Sequence, residues 1–117
     1  AYPCPADQIG LAALSETKKR WQLYEKRHGL SDHTRHPWIG ALAVAAGASV
    51  IEFHVRLDST DPANADFAVA RTPEEARVYV ENIRTAEDMM GSGHAGVQEA
   101  ERKMMRYRVG APSPETP

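Results

Sequence analysis

Two short runs of sequence decide the fold of this chain: Gly29-Leu30-Ser31-Asp32-His33-Thr34 and Ile51-Glu52-Phe53-His54. Each run closes a short extended stretch after a turn signal, whereas the residues between the runs are typical of a helix. A helix between two strands makes them parallel, so both runs end at the same edge of one sheet. We therefore expect His33 and His54 to lie together at the edge where α/β folds place their reactive groups.

The overall composition is that of a single globular domain. The chain has 117 residues, of which 42% are hydrophobic, and a net charge of −2. This small charge does not favour nucleic acid or an anionic membrane surface as a partner. The longest weakly polar run, Ile39 to Ile51, is shorter than the roughly 20 residues of a membrane-spanning helix. A single cysteine, Cys4, excludes an intramolecular disulfide, and we expect a reducing, cytoplasmic setting.

Three segments carry helix signals. The first runs from about Ala6 or Gln8 to Arg20, the second runs from Trp38 to Ala46, and the third begins at Thr72. Thr72-Pro73-Glu74-Glu75 supplies an N-cap, a proline at N1 and the glutamate of a capping box, and Gly91 ends that helix. The residues expected on its apolar face are Ala76, Tyr79, Val80, Ile83, Ala86 and Met90.

Successive side chains of a strand point to opposite faces, and the clearest strand, Ala48 to Leu57, alternates in this way. One of its faces is apolar and is expected to lie under helices. The other is polar, which is typical of the wall of a barrel lumen near its catalytic mouth. In the earlier strand, Leu30 to His33, alternation puts Ser31 beside His33 and turns Asp32 to the opposite face. The apolar face of the later strand is Ile51, Phe53, Val55 and Leu57, and its polar face is Val50, Glu52, His54 and Arg56.

The order of the elements predicts an α/β fold with parallel strands. Residues 1–91 hold all the strand and helix signals except a short basic helix from Gln98 to Arg108, and a polar loop joins the last strand to the last helix from Asp58 to Arg71. Residues 92–117 are expected to form a linker, that basic helix and a proline-rich tail. Two strands cannot close a sheet, and open edges are normally paired or covered. We therefore expect either a fragment of a larger (β/α) barrel or a homo-oligomer that completes its sheet by self-association.

Several motifs resemble the last strands of the sialic acid synthases, the N-acetylneuraminate synthase family. They are Gly29 to Thr34, Gly47 to Glu52 with His54, and Leu57-Asp58. The resemblance extends from Tyr2 to about Arg106. It implies the C-terminal part of a (β/α)8 TIM barrel, its last two to three βα units, without the antifreeze-like domain of the family. It also implies an enzyme that condenses phosphoenolpyruvate with an N-acyl amino sugar to give a sialic-type acid.

The resemblance implies a metal site. The family holds a divalent ion, typically manganese, here Mn or Mg, with two histidines that match His33 and His54. Imidazole ligands with open positions suit a Lewis acid that polarises a carbonyl. Glu52 shares the face of His54 and is a candidate to orient a ligand from outside the coordination sphere.

The resemblance also implies substrate contacts. Tyr2 matches a residue at the sugar-binding edge, and Ser31 matches a serine that contacts phosphoenolpyruvate. Asp66 matches an aspartate that faces the sugar from the loop after the last strand, if one residue is inserted before it. We take Asp66 and Glu52 as the candidate catalytic carboxylates.

The chain departs from the family pattern at two places. Phe53 replaces the usual lysine before the second histidine, on the side of the strand that faces away from the lumen. Pro62 to Phe67 replaces the usual proline- and glycine-rich loop, so this loop does not identify the sugar. The family's phosphate-binding lysines belong to earlier βα units, and this chain by itself is not expected to catalyse the condensation.

Three interpretations of the function follow. The chain is part of a sialic-acid-synthase-like enzyme, or a short self-associating protein that uses His33 and His54 only to bind a metal or an anion. The third interpretation is a non-catalytic scaffold module derived from the enzyme, whose partner binding does not depend on His54.

Overall fold

A computed structural model describes residues 2–21, 27–91, 93, 99–102, 104 and 107 of this chain. Within these residues, no helix combines the length and the apolar character that crossing a membrane requires. The strands are β1 (Gly29–Asp32) and β2 (Val50–Phe53), and the α-helices are α1 (Ala12–Arg20), α2 (Ile39–Ala45), α3 (Pro73–Met90) and α4 (Glu99–Arg102), with a 3-10 helix at Ala6–Gln8.

The two strands form a parallel sheet connected by α2, as the sequence predicts. Gly29 pairs with Val50 and Asp32 pairs with Phe53 at the two ends of the ladder. A further parallel bridge joins Val55 to Arg71 beyond the end of β2. The predicted α/β class with parallel strands is therefore confirmed.

Several predicted boundaries are wrong by a few residues. The first α-helix begins at Ala12 rather than near Ala6, because Gly10 has a φ of +64° and separates it from the 3-10 turn before it. Both strands end one residue before their histidine. Since β1 has only four residues, it cannot pair with the whole predicted strand from Ala48 to Leu57.

The core lies between the sheet, α2 and α3. Its buried apolar residues include Ile39 and Ala43 of α2 and Tyr79 and Ile83 of α3. The predicted apolar face of α3 is only partly covered, because α2 has seven residues and α3 has eighteen. Val80 and Met90 remain exposed.

The predicted apolar face of the second strand is also only partly covered. Ile51 and Phe53 are partly buried, but Val55 is 54% exposed and Leu57 is 63% exposed. Both exposed residues lie beyond the end of β2, where no described helix covers them. The expectation that the whole face lies under helices is therefore wrong for its last two residues.

The N-terminus of α3 has the predicted capping box. The Thr72 hydroxyl accepts a hydrogen bond from the Glu75 amide at 3.2 Å, and the Glu75 carboxylate accepts one from the Thr72 amide at 2.8 Å. Pro73 occupies the first turn, and Gly91 follows the last residue with a φ of +58°. These local signals fix the helix that covers the sheet.

Of the predicted helix from Gln98 to Arg108, Glu99–Arg102 is helical. Most of its remaining residues lie outside the described residues, as does the tail from Gly110 to Pro117.

We expect Thr72→Ala to lower the free energy of unfolding by about 1 kcal/mol, because it removes the N-cap acceptor of α3. Urea denaturation of the full chain measures this. Thr85→Ala is the matched control, since Thr85 is exposed within α3 and its hydroxyl bonds only to the Glu81 carbonyl. Alanine is the better helix former at such a position, so the control should be neutral or slightly stabilising. Equal losses in the two variants would contradict the capping role.

We expect Gly40→Ala to destabilise the packing of α2 on α3 by about 1–3 kcal/mol. An added Cβ would lie 2.7 Å from Ile83 Cδ1 and 2.7 Å from Tyr79 Cζ. In an Ile83→Val background one of these atoms is missing, so the penalty should be smaller. A double-mutant cycle by urea denaturation measures this coupling, and strictly additive effects would argue against the close contact.

Candidate functional site

The ends of the two strands bring the predicted histidine pair together. Asp32 and Phe53 are partners in the ladder, so the residues that follow them, His33 and His54, become neighbours. Their ring centroids are 5.2 Å apart, and both side chains are partly buried. Two imidazoles therefore share one edge of the sheet.

Tyr2 lies against this pair. Its ring centroid is 4.7 Å from that of His33 and 6.3 Å from that of His54, in edge-on geometry. The amide of Cys4 donates a hydrogen bond to the His33 carbonyl at 3.3 Å, which docks the first residues onto the end of β1. The Tyr2 hydroxyl donates a hydrogen bond to the Asp66 carboxylate, and this bond raises the pKa of Tyr2.

Asp66 connects Tyr2 to the histidines. One of its oxygens accepts from Tyr2, and the other lies 3.6 Å from Nδ1 of His54. The backbone amide of Asp66 donates to the Asn64 side chain at 2.9 Å, a local turn that orients the residue. A carboxylate beside Nδ1 favours a proton on that nitrogen and leaves the lone pair of Nε2 free.

Ser31 and Glu52 pair with each other two positions before the histidines and lie on the same face. The Ser31 hydroxyl lies 3.2 Å from Nε2 of His33. Glu52 is exposed, and its carboxylate forms no hydrogen bond or ion pair with the part of the chain that the structure describes. The carboxylate next to His54 is therefore that of Asp66 and not that of Glu52.

The donor set determines what this edge can hold. His33 and His54 together offer two imidazole nitrogens, while within the described ranges no group of three His, Cys, Asp or Glu side chains is arranged to hold a metal ion. Two nitrogen ligands with the remaining positions open to oxygen fit a divalent ion such as Mn²⁺, whose other ligands are water or substrate. The residues present thus fit the two nitrogen ligands of such an ion.

Sequence reasoning missed a buried polar cluster behind the histidines, made of Asp32, Arg71 and Tyr79. Asp32 is fully buried and Arg71 is 2% exposed. Asp32 Oδ2 accepts from Arg71 Nη2 at 2.8 Å and from the Tyr79 hydroxyl at 2.6 Å. The other carboxylate oxygen accepts from the amide and the hydroxyl of Thr34, both at 2.8 Å.

The sequence signal for this cluster was the position of Asp32, a carboxylate on the side of its strand that faces the helices. A buried carboxylate requires hydrogen-bond donors and a counter-charge, but the sequence does not say which cation supplies it, and Arg71 was placed at the end of a polar loop. Burial alone would raise the pKa of Asp32. The hydrogen bonds from Tyr79 and Thr34, with the charge of Arg71, more than offset it and lower that pKa. Burial, reinforced by Asp32, raises the pKa of Tyr79, so the hydroxyl keeps its proton and donates.

Known proteins are similar to this chain in sequence. The chain is similar to N,N'-diacetyllegionaminic acid synthase of Campylobacter jejuni, with 34% identity over 102 residues that cover 87% of this chain and 29% of that protein. It is 37% identical over 92 residues to the enzyme of the same name from Legionella pneumophila, which covers 79% of this chain and 25% of that protein.

A solved structure is also similar, that of N-acetylneuraminic acid (sialic acid) synthetase from Leptospira borgpetersenii in complex with citrate. It superposes with a TM-score of 0.79 at 30% identity, over 92% of this chain and 36% of that one. The chain thus spans between a quarter and about a third of the length of these proteins. Residues 1–95 match the NeuB family model. The chain therefore belongs to the NeuB family, the family of sialic acid synthases that its two histidine runs resemble.

Proposed function

We propose that this chain forms the last two to three βα units of a (β/α)8 barrel in a cytoplasmic, oligomeric synthase. The enzyme condenses phosphoenolpyruvate with an N-acyl amino sugar to give a sialic-type acid. Residues 1–91 supply the barrel units, and residues 92–117 supply a linker and tail. One observation carries the proposal: Tyr2, Ser31, His33, His54 and Asp66 gather at the ends of two adjacent parallel strands.

His33 and His54 would hold a divalent ion, Mn²⁺ or Mg²⁺. When bound, the ion polarises the carbonyl oxygen of the sugar and so favours attack on that carbon. The role of this chain would be to present two neutral imidazoles to the ion. Asp66 selects the tautomer of His54, because its carboxylate lies beside Nδ1, favours the proton there and leaves Nε2 as the ligand nitrogen.

Asp66 and Tyr2 would bind the sugar. Their hydrogen bond closes one side of the site, and both groups can exchange it for hydroxyls of a bound sugar. Ser31 would donate a hydrogen bond to a phosphate or carboxylate oxygen of phosphoenolpyruvate. Glu52, exposed on the same face, is proposed as a further carboxylate that accepts or supplies a proton once substrate covers it.

We expect His33→Ala and His54→Ala each to weaken Mn²⁺ binding by more than about 100-fold, beyond the effect of residues outside the coordination sphere. Titration of free Mn²⁺ followed by electron paramagnetic resonance measures this. His36→Gln is the control, because His36 is exposed and its ring contacts the Trp38 amide and not the pair. Binding that survives both alanine variants would rule out the histidine site.

We expect Asp66→Asn to weaken Mn²⁺ binding about 10-fold, because an amide no longer stabilises the required tautomer of His54 as a carboxylate does. Asp58→Asn is the matched control, since Asp58 is an exposed carboxylate of the same loop. Similar losses from both aspartates would show a general charge effect rather than a contact with His54.

The reaction itself is tested on the complete synthase that contains these βα units, because this chain alone is not expected to catalyse it. Phosphate release from phosphoenolpyruvate is measured with a panel of N-acyl amino sugars and Mn²⁺, with mass spectrometry of the product. We expect release only in the presence of sugar, and its loss in His54→Ala. A complete protein that binds Mn²⁺ through the histidines, self-associates by light scattering and never consumes phosphoenolpyruvate would instead be a binding module. The exposed residues at the end of β2 favour that second candidate.

A further inference from the structure

We propose that Arg71 is a positioning residue that sets the separation of His33 and His54 by tying together the chain segments that carry them. The inference rests on the proposed metal-binding role of the histidine pair. It assigns to the loop before α3 a function in the geometry of the site.

The pairing of the strands does not itself fix the histidines. The ladder ends at Asp32 and Phe53, and His33 and His54 are the first residues beyond it. Their relative position therefore depends on whatever connects the two segments after the strands end.

The backbone of Arg71 attaches to the segment after β2. Its amide donates to the His54 carbonyl at 2.9 Å, and its carbonyl accepts from the Arg56 amide at 2.8 Å. These two bonds frame Val55 and hold residue 71 alongside it, in a parallel bridge directly after His54.

The side chain of the same residue attaches to the segment after β1. Nη2 donates to the Asp32 carboxylate at 2.8 Å and to the His36 carbonyl at 3.1 Å. These two acceptors lie on either side of His33 in sequence. One residue thus holds the backbone of one histidine and the flanks of the other.

Helix α3 fixes the orientation of the Arg71 side chain, whose bonds to Asp32 and His36 we call the tie. The guanidinium carbon lies 3.8 Å from the centroid of the Tyr79 ring, and the Tyr79 hydroxyl donates to the same Asp32 oxygen that Arg71 binds. Because Arg71 and Asp32 are buried, water does not compete for these bonds. A planar guanidinium can stack and donate at once, which the ammonium of a lysine cannot do.

The test cuts the tie without leaving a buried charge unpaired. In the double variant Asp32→Asn with Arg71→Leu, the asparagine oxygen can still accept from Thr34, and the backbone bonds of residue 71 remain. We expect Mn²⁺ affinity to fall about 10- to 100-fold, and the visible spectrum of bound Co²⁺ to change. In the metal-free protein, the ring ¹⁵N shifts of both histidines should also move.

Ile83→Val is the matched control, since it loosens the same helix packing without contact to the tie. It should lower stability and leave the metal affinity, the Co²⁺ spectrum and the ring shifts unchanged. Should the double variant fail to fold, Arg71→Lys replaces it. That variant keeps the charge, and we expect an intermediate affinity with a changed spectrum.

Wild-type affinity and spectrum in the tie variants, with binding lost in His33→Ala, would overturn the positioning role and leave the proposed function intact. The positioning role would also be overturned if Ile83→Val lost Mn²⁺ affinity in proportion to its loss of stability, as the double variant does. Binding that survives His33→Ala and His54→Ala would overturn the metal site instead. In that case the metal-free ring shifts decide the positioning role, which fails if the double variant leaves them unchanged or if Ile83→Val moves them equally.

Discussion

The buried carboxylate of Asp32 is the constraint on which this end of the sheet depends. An ionised group without water needs donors for its oxygens and a nearby counter-charge. Asp32 obtains them from three parts of the chain: the turn at Thr34, the loop end at Arg71 and Tyr79 of α3. Satisfying one side chain therefore determines where the next turn, the returning loop and the covering helix must lie.

The contribution of this cluster is geometric more than energetic. Replacing a buried ion pair with apolar groups of similar volume is often neutral, whereas removing one partner costs about 3–5 kcal/mol because it leaves a buried charge. Arg71 even leaves Nη1 without a hydrogen-bond partner among the described residues, with the Tyr79 ring against the guanidinium. This cluster, with little net stability to contribute, is better explained by the positions that it imposes on the segments around it.

What the sequence could predict followed from local rules. Period-two alternation separated His33 from Asp32, and the Thr72 to Glu75 run identified the start of α3, because both signals depend only on neighbours in sequence. Arg71 and the exposure of Leu57 could not be predicted in this way, since each depends on a distant partner or on its absence. Asp66 was a candidate by resemblance alone, and its contacts with Tyr2 and His54 emerged only in three dimensions.

Alternation also explains how one short strand can serve both the site and its support. Ser31 and His33 point to the exposed edge, while Asp32 between them points to the helices. Phe53 follows the same rule on β2, where its ring packs 4.9 Å from that of Tyr79, centroid to centroid, behind His54. The histidines and the buried residues that support them therefore lie one residue apart in each segment, which is the basis of the proposed positioning role.

Asp66 extends that connection to the loop from Pro62 to Phe67. It lies in the segment where the chain departs from the family pattern, yet its carboxylate contacts both Tyr2 and the His54 ring. In the proposed enzyme, a sugar that replaces Tyr2 as hydrogen-bond donor to Asp66 alters the interaction of that carboxylate with His54. A metal bound to His54 in turn alters the interaction of the same carboxylate with the sugar. Linkage makes such an effect reciprocal. In the proposed enzyme, sugar recognition and metal binding are therefore coupled, and the loop from Pro62 to Phe67 has to satisfy both.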